Sequence, residues 1–569
     1  MQSENITTSI NKDSPGNNQA DPEIPTSGSL REIISEACHK YAHLTAFSCE
    51  GRKISYQELD SASDRFAAWL MRESTLVPGD RVAIQLPNLI QYPIAALGVL
   101  KAGMVIVNIN PLYTAGESEH QLKDSGAKVL FTLEETLPVL SRIISATAIE
   151  KVIVTRAADY FPLPMKCLYN LSRTTSWRQT RGLRFSGKIA FSQVLSRGKR
   201  YLQVKALEDL KPAAFWPANE PVLGLIQYTG GTTGTAKGAM LSHDNLIANL
   251  RQVDHVIEDN SPPPGSVTAV VLPFYHIYAF TLNFLFSLYK GYHGVLIPDP
   301  RNTDKMVKAL GRHKISCFAG VSTLFKVLCK HKHFQRLDFS GLSLCTSGGM
   351  ALSVSTARRW EKLTGCRILE GYGLTECAPL VASSSYGVCL DDKIGQATRW
   401  TEIKIVNEDG EEVPAGTEGE IIVRGPQVMM GYWQKPEETR AVLKEDGWFH
   451  TGDIGILDEE GHLKVVDRIK DLIIVSGFNV YPAEIEDHVS RHPDIREAAA
   501  IGIPREEGEL VKLFVISDNP ELSEDEVILF CRQGLTAYKV PSKVEFRTDL
   551  PRSNVGKILR RQLREDQAV

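Results

Sequence analysis

Residues 222–242, VLGLIQYTGGTTGTAKGAMLS, decide most of what the sequence predicts about the fold. The apolar run at Val222–Gln227 predicts a buried strand, and Ser242–Asn245 predicts the start of a helix. Between them, Thr229–Thr235 holds three glycines and four threonines, and Lys237 follows. Glycines let backbone N–H groups approach phosphate oxygens, hydroxyls donate hydrogen bonds and a lysine supplies positive charge. The stretch therefore predicts a phosphate-binding loop; its spacing excludes a Walker A loop, and a flexible surface loop is the alternative.

Strand and helix patterns alternate on both sides of this loop. A helix is predicted at Ile94–Leu100, and short apolar runs predict strands at Arg81–Leu86, Met104–Asn108, Thr268–Leu272, Cys317–Ala319 and Ile368–Leu369. This alternation predicts an α/β fold with layered α/β subdomains around mostly parallel sheets. Residues 404–466 differ, because their short runs are separated by Asp-Gly and Glu-Gly turns, and they predict a small antiparallel β subdomain.

The chain is predicted to have three parts, because 569 residues exceed what one core can hold. Residues 1–28 are polar, lack an apolar signal-peptide core and are expected to form a disordered tail. Residues 29–469 form the large domain. The pattern changes after Lys470–Asp471 to a compact α/β module, so residues 470–569 are expected to form a small C-terminal domain.

Composition narrows the class of protein. A net charge of −4 gives no indication that the protein as a whole attracts nucleic acid. Ten cysteines without Cys-x-x-Cys pairs indicate free thiols in a reducing compartment, and hence the cytoplasm. The uncharged stretch Val267–Tyr289 is long enough to span a bilayer, but Pro273, His276 and Asn283 interrupt it. We expect a buried strand followed by a buried helix there.

The basic segment, residues 166–205, holds ten Lys or Arg and no Asp or Glu. Aromatic side chains such as Trp177 and Phe185 lie among the charges. One interpretation is peripheral contact with the cytoplasmic, anionic face of a membrane, where each basic residue contributes about 1 kcal/mol. The alternative is a solvated excursion of the surface.

Three further stretches combine a glycine turn with polar or charged side chains that could bind parts of a nucleotide. Gly371–Glu376, GYGLTE, is a glycine turn that presents an aromatic face, a hydroxyl and a carboxylate, which suit a purine, a phosphate and Mg²⁺. Asp453 ends GWFHTGD at another glycine turn, where a carboxylate can accept hydrogen bonds from ribose hydroxyls. Lys557 follows a glycine near the end of the chain. Taken singly, each stretch is typical of an ordinary surface turn.

The order of these elements resembles that of the adenylate-forming enzymes, and the resemblance extends from about Leu30 to Glu565. It rests on YTGGTTGTAKG, GYGLTE, GWFHTGD, DRIKDLIIVSGFNVYPAEIE and SNVGKILRR, which occur in the family's order and approximate spacing. Within the family, LPFYHIYAF and LEGYGLTECAPLV are most similar to bacterial long-chain fatty-acid–CoA ligases. The resemblance implies a mobile C-terminal domain and the use of ATP, Mg²⁺, CoA and a fatty acid.

The resemblance also implies roles for single residues. ATP phosphates would be held by Thr229, Gly230, Gly231, Thr232, Thr233, Gly234 and Lys237. The nucleoside would be bound by Gly348, Gly349, Glu370, Gly371, Tyr372, Asp453 and Arg468. The catalytic group would comprise Thr375, Glu376, which also helps to bind Mg²⁺, His276 near the acyl carboxylate and Lys557 between substrate and α-phosphate. Lys470 matches the hinge, Gly477 the CoA path, and Gly320, Val321 and Thr323 the acyl entrance.

These features imply an AMP-forming ligase that adenylates a long-chain fatty acid and transfers the acyl group to CoA. Two alternatives remain at this point. A fatty acyl-AMP ligase, which passes acyl groups to a carrier protein, would share the ATP-site motifs. A non-catalytic, membrane-docked acyl-binding protein would be expected to have lost ATP-site residues, yet Lys237, Glu376, Asp453, Arg468 and Lys557 are all present.

Overall fold

The computed structural model describes residues 29–163, 166, 187–207, 221–229, 236–385, 393–475, 478–505, 509–553 and 556–567. The strands are β1 Thr45–Cys49, β2 Arg52–Ser55, β3 Arg81–Gln85, β4 Val105–Asn108, β5 Val129–Leu133, β6 Lys151–Thr155, β7 Lys188–Ala190, β8 Leu223–Thr229, β9 Lys237–Ser242, β10 Val267–Val270, β11 His293–Leu296, β12 Cys317–Gly320, β13 Leu344–Gly348, β14 Ile368–Gly373, β15 Leu380–Ser383, β16 Gln396–Ala397, β17 Glu402–Val406, β18 Gly419–Arg424, β19 Gly431–Tyr432, β20 Phe449–Leu457, β21 Leu463–Arg468, β22 Ile473–Val475, β23 Phe478–Val480, β24 Ile495–Pro504, β25 Glu509–Ser517 and β26 Lys543–Phe546.

The α-helices are α1 Leu30–Lys40, α2 Tyr56–Glu73, α3 Gln91–Lys101, α4 Ala115–Ser125, α5 Leu137–Leu140, α6 Phe191–Leu202, α7 His243–Val256, α8 Ile277–Ala279, α9 Ser287–Lys290, α10 Thr303–Leu310, α11 Ser322–Lys330, α12 Val354–Thr364, α13 Pro436–Val442, α14 Pro482–Val489, α15 Glu524–Arg532 and α16 Arg560–Glu565. A π-helical segment, Phe280–Phe286, joins α8 to α9. Local chemistry sets several of these boundaries. For example, Ser29 and Glu32 form a capping box that starts α1, and Ser242 with Asn245 does the same for α7.

Two mostly parallel sheets form the large domain. The first has the order β16-β15-β14-β13-β12-β10-β11-β1-β2, and its strands run parallel from β14 to β1. The second has the order β19-β9-β8-β4-β3-β5-β6-β7 and is parallel from β8 to β7. Antiparallel strands occur only toward the ends of both sheets, as expected where a hairpin replaces a crossover helix.

A large apolar core joins the two sheets. Helix α3 is buried along its whole length, because it packs on α2 and on strands of the second sheet within this shared core. The Asn88 amide donates to the carbonyl oxygens of Val270 (3.1 Å) and Leu272 (2.9 Å), and so ties the turn before α3 to the first sheet. The opposite face of the first sheet is covered by α10, α11 and α12, around the buried Trp360. The result is the layered α/β architecture that the sequence predicts.

The remaining residues form smaller units. Strands β17-β18-β20-β21 make an antiparallel four-stranded sheet, which confirms the antiparallel subdomain predicted at 404–466. Downstream, the β22–β23 hairpin and the β24-β25-β26 sheet pack with α14, α15 and α16 around cores of their own.

Two local predictions differ in detail from the structure. A strand that was not predicted, β9, follows the glycine-rich loop and pairs antiparallel with β8, whereas the predicted helix start at Ser242 is confirmed by α7. The apolar spacing over Ile33–Leu70 predicts two helices around one short strand, whereas the structure has the β1–β2 hairpin between α1 and α2. The stretch Val267–Tyr289 contains β10 and a buried helical run, as predicted. Among the described helices, none combines the length and the apolar character needed to cross a membrane.

Candidate active site

The carboxyl ends of parallel strands bring the predicted residues together. Thr229 ends β8, Gly320 ends β12 and Gly348 ends β13. Beside Gly348, β14 carries Glu370, Gly371 and Tyr372, and Gly371 pairs with Gly348. Ligands of open α/β sheets bind in the crevice outside these strand ends, so the fold directs the predicted motifs toward one region.

The two arms of the glycine-rich loop are fixed by the β8–β9 hairpin. Thr229 pairs with Lys237, and Tyr228 pairs with Gly238. The predicted phosphate ligands Gly230, Gly231, Thr232, Thr233 and Gly234 lie outside the described residues, as does the predicted CoA-path residue Gly477. The Lys237 Nζ atom lies 5.1 Å from the centroid of the Tyr432 ring.

A network of three side chains links two subdomains. The Tyr372 hydroxyl donates to Asp453 Oδ2 at 2.8 Å, although 81 residues separate the two in sequence. Asp453 and Arg468 are cross-strand partners on β20 and β21, and Arg468 Nε lies 3.0 Å from Asp453 Oδ1. Asp453 is only 4% exposed, so its charge is stabilised by these two partners rather than by bulk water. The predicted ribose-binding pair is thus assembled against the predicted adenine wall.

Lys557 reaches this network from the far end of the chain. Its loop is held by the bridge Arg552–Ile558 and by a hydrogen bond from the Lys557 N–H to Ser553 Oγ (3.1 Å). Burial and the nearby Arg468 guanidinium lower the pKa of Lys557 to about 8, and Asp453 opposes the shift. A Cβ placed on Gly556 would lie 3.2 Å from Thr323 Oγ1, so the lysine loop packs against the predicted acyl entrance.

Thr375 and Glu376 lie in a 3₁₀ turn directly after β14. Glu376 Oε1 accepts a hydrogen bond from the Tyr432 hydroxyl at 2.8 Å. Burial raises the pKa of Glu376, and the Tyr432 hydrogen bond acts against this rise. A single carboxylate fits Mg²⁺, which proteins hold through one or two carboxylates together with substrate phosphates. The clusters of three metal-binding side chains among the described residues lie elsewhere, at Asp304–His331–His333 and Asp458–Glu460–His462.

The predicted adenine wall is shaped by close backbone approach. Gly348 packs between the Gly371 carbonyl oxygen and the Tyr278 ring, at 3.4 and 3.5 Å from an added Cβ. Gly349 has a φ of +79°, in the left-handed region that favours glycine. Burial raises the pKa of the Glu370 carboxyl to about 7, although a hydrogen bond from the Leu352 backbone acts to lower it.

The predicted acyl side of the site is mostly uncharged. Burial lowers the pKa of His276 to about 4, so its ring is neutral at pH 7, and Nδ1 accepts a hydrogen bond from the Tyr278 N–H at 3.3 Å. Val321 is buried at the start of α11. A narrow cavity of about 20 Å³ separates the π-helical segment from the first sheet; its walls are Thr268, Leu282, Asn283, Phe286, Ser287, Tyr292, Cys317, Phe318, Ala319, Leu344 and Thr346.

The structure also shows where other predicted features lie in the fold. Lys470 is exposed in the 3₁₀ turn Ile469–Asp471, between the antiparallel sheet and the β22–β23 hairpin. The basic segment is described only at residue 166 and at 187–205, where α6 buries Phe191 and Val194. The eight cysteines found free in the described part of the chain are all buried.

Tyr432 was missed by the sequence analysis. Its only local signal is Gly431, whose φ of +137° and close approach to Thr439 mark a constrained turn. Its two partners lie 195 and 56 positions earlier in the chain, at Lys237 and Glu376. Periodicity and spacing do not report contacts at such separations.

Comparisons with known proteins identify the family of this chain. Residues 34–433 match the model of the AMP-binding enzyme family, and residues 484–557 match that of the AMP-binding enzyme C-terminal domain. A long-chain-fatty-acid–CoA ligase of Escherichia coli O6:H1 is 45% identical over 540 residues, 95% of this chain and 94% of the relative. The Bacillus subtilis ligase of the same name is 37% identical over 547 residues, again 95% of this chain and 94% of the relative.

Among solved structures, ATP-bound MatB from Rhodopseudomonas palustris superposes with a TM-score of 0.79 and 29% identity, over 95% of this chain and 99% of its own. The family models cover most of the chain, and the relatives align over nearly their full length. The chain therefore belongs to the AMP-binding enzyme family, whose members include long-chain-fatty-acid–CoA ligases.

Proposed function

We propose that this protein is an ATP-dependent, AMP-forming ligase that converts a long-chain fatty acid to its acyl-CoA. The observation that carries the proposal is the position of Lys557. This cation, about 90 residues beyond β21, lies beside the Asp453–Arg468 pair, and its loop packs on Thr323 at the acyl entrance. Joining a carboxylate to a phosphate requires a positive group between the nucleotide site and the acyl site, because both reacting groups are negatively charged.

The first reaction brings a carboxylate toward a polyanion, so its difficulty is electrostatic. A carboxylate oxygen attacks the α-phosphorus of ATP, the bond to pyrophosphate breaks, and acyl-AMP forms. Lys237 and the loop from Thr229 to Gly234 would hold the β- and γ-phosphates, and Thr375 and Lys557 the α-phosphate. Glu376 would hold Mg²⁺ together with phosphate oxygens, and the ion would neutralise charge on the phosphates.

The nucleoside would be held by the other groups of the site. Glu370, Gly371 and Tyr372 would form one wall of the adenine site, with Gly348 and Gly349 behind it. Asp453 and Arg468 would hold the ribose. The hydrogen bond from Tyr372 to Asp453 supports this assignment, because it fixes the carboxylate before the nucleotide arrives.

In the second reaction, the CoA thiol attacks the acyl carbon, its proton leaves and AMP departs. Lys557 has no role in this step and would block part of the site, so we propose that residues 470–569 rotate about Lys470 between the two reactions. Exposure of Lys470 in a short turn between two separately packed units supports this hinge. Pantetheine would then pass beside Gly477.

The acyl group is proposed to be a long alkyl chain. The 45%-identical relatives carry that substrate in their names, and the stretch Val267–Tyr289 contains no Asp, Glu, Lys or Arg. Each buried methylene contributes about 0.8 kcal/mol, so an apolar wall selects for chain length. His276, neutral because of its burial, and the entrance residues Gly320, Val321 and Thr323 would lie near the acyl carboxylate without competing for its charge.

We further propose that the protein acts in the cytoplasm and contacts anionic membranes through the basic segment, residues 166–205. The described end of the segment supports this, because Lys199 and Arg200 are exposed on α6, where Arg197 pairs with Glu73, and Val204 is 83% exposed beyond the helix. Sedimentation with vesicles containing 30% anionic lipid tests the proposal. Binding that weakens as salt rises is expected; equal recovery with neutral vesicles would contradict it.

The catalytic proposal is tested by incubating the purified protein with ATP, Mg²⁺ and saturated fatty acids of 6 to 18 carbons, with and without CoA. Mass spectrometry should detect AMP and a CoA-dependent thioester that increases toward the longer acids. Lys557→Ala should abolish acyl-AMP formation but largely spare thioester formation from supplied acyl-AMP. Acyl-AMP without thioester in the wild type would indicate a ligase that serves another acceptor, and no adenylate with any acid would refute the proposal.

A further inference from the structure

The bridging segment, Met429–Trp433, connects the two large sheets at the candidate active site. The Met429 N–H donates to the Glu376 carbonyl oxygen at 2.7 Å, beside the end of β14 in the first sheet. Two residues later, β19 pairs with β9 of the second sheet, and the Trp433 N–H donates to the Gly238 carbonyl oxygen at 2.8 Å. The segment therefore binds both the turn that carries Glu376 and the strand that begins with Lys237.

Tyr432 makes the same connection with its side chain. Its hydroxyl donates to Glu376 Oε1 at 2.8 Å, and its ring centroid lies 5.1 Å from Lys237 Nζ. The side chain is 8% exposed, and its N–H donates to Thr439 Oγ1 at 2.9 Å, so the ring is held at both the backbone and the hydroxyl. One side chain thus contacts a carboxylate of the first sheet and an ammonium of the second.

The two contacts differ in their chemical consequence. Donation by the hydroxyl stabilises the ionised form of Glu376, which burial otherwise disfavours. The ring attracts the Lys237 ammonium through its quadrupole but does not neutralise it, as a carboxylate would. Lys237 has no ion pair with any of the described residues. Its charge therefore stays available to a phosphate, while its position is restrained.

We propose that Tyr432 is a positioning residue for adenylation: its hydroxyl holds the Glu376 carboxylate and its ring holds the Lys237 ammonium, so that one side chain sets the geometry between the metal-binding and phosphate-binding groups. The inference rests on the roles given to Glu376 and Lys237 in the proposed function. It extends them, because Tyr432 would act through these two groups and not directly on the substrate.

Tyr432→Phe and Tyr432→Leu separate the two contacts. The first keeps the ring and removes the hydroxyl, so the Mg²⁺ concentration for half-maximal acyl-AMP formation should rise about tenfold, the usual effect of losing a hydrogen bond to a charged group. Tyr432→Leu should show the same effect and, in addition, a several-fold higher KM for ATP, because Lys237 loses its restraint.

Two measurements distinguish positioning from general damage. Thioester formation from supplied acyl-AMP should be unchanged in Tyr432→Phe, since that half-reaction does not use the phosphate or metal groups. Tyr228→Phe removes another hydrogen bond from a buried tyrosine to a carboxylate, the 2.6 Å bond to Asp124 Oδ2, and supplies the loss of thermal stability that such a bond causes by itself. Tyr432→Phe should lose no more stability than this control.

A double variant gives the sharpest result. In a Glu376→Gln background, Tyr432→Phe should produce no further shift in Mg²⁺ dependence, because the group through which it acts is gone. Unchanged Mg²⁺ dependence in the single variant Tyr432→Phe would overturn the inference while leaving the proposed function intact, and so would equal losses in both half-reactions. Failure of the wild-type protein to form any acyl-AMP would instead refute the proposed function.

Discussion

The reduced pKa of Lys557 predicts an alkaline limit to adenylation. Burial lowers this pKa to about 8, with Arg468 acting in the same direction and Asp453 against it. Only the protonated ammonium can offset the negative charge of the carboxylate and α-phosphate. The rate of the first half-reaction should therefore follow the protonated fraction of Lys557 and fall as pH rises through 8.

The size of the effect follows from that value. With a pKa of about 8, roughly nine-tenths of Lys557 is protonated at pH 7 and roughly one-tenth at pH 9, so kcat/KM for acyl-AMP formation should fall about tenfold between them. This parameter is the one to measure, because it reports the pKa of the free enzyme. Pyrophosphate release at subsaturating ATP and constant ionic strength, from pH 6 to 9.5, provides the profile.

Lys557→Arg is the matched variant, because arginine keeps its charge throughout this range. This variant is expected to form acyl-AMP more slowly, because the guanidinium differs in shape from an ammonium, but its rate should not fall as pH rises through 8. Thioester formation from supplied acyl-AMP serves as the second control and should not fall over the same interval. A wild-type profile that stays level to pH 9.5, or an identical limb in Lys557→Arg, would refute the assignment of this limb to Lys557.

Three further changes test other parts of the structure. Trp360→Ala, which removes a fully buried ring 4.6 Å from that of Phe325, should cost about 3–5 kcal/mol in the free energy of unfolding by urea; a loss below 1 kcal/mol would contradict the packing. Tyr372→Phe removes the hydroxyl that donates to Asp453 Oδ2, leaves Arg468 as the partner of that carboxylate, and should raise the KM for ATP about tenfold. An unchanged KM would contradict a role for Asp453 in the nucleotide site. Glu370→Gln should stabilise the protein increasingly from pH 4.5 to 7 and by a constant amount above pH 7. The reason is that the wild-type carboxyl keeps its proton up to a pKa of about 7 in the folded state but only up to 4.5 in the unfolded state. Thermal unfolding of the variant and the wild type at pH 5 and 8 measures this gain, and a gain that is independent of pH would contradict the raised pKa of Glu370.

Much of the fold was predictable because its signals are local. The alternation of strand and helix patterns gave the α/β class, and the Asp-Gly and Glu-Gly turns gave the antiparallel subdomain. The start of α7 at Ser242 follows from a capping box four residues long. The hairpin at the glycine-rich loop was not predicted, because the pairing of β8 with β9 depends on which neighbours the sheet offers and not on the loop itself.

The sequence by itself determined which chemical groups this protein has: a loop of glycines and threonines with Lys237, a turn with Glu376, and Lys557 near the end of the chain. Their residue types and local spacing suffice for that, since backbone freedom, charge and hydrogen-bonding capacity belong to each residue. Only the tertiary structure decided which groups meet. Tyr372 finds Asp453, Lys557 reaches Arg468, and Tyr432 lies between Lys237 and Glu376. These contacts join residues that are far apart in the chain, and they form because sheet order and core packing bring distant strand ends to one place.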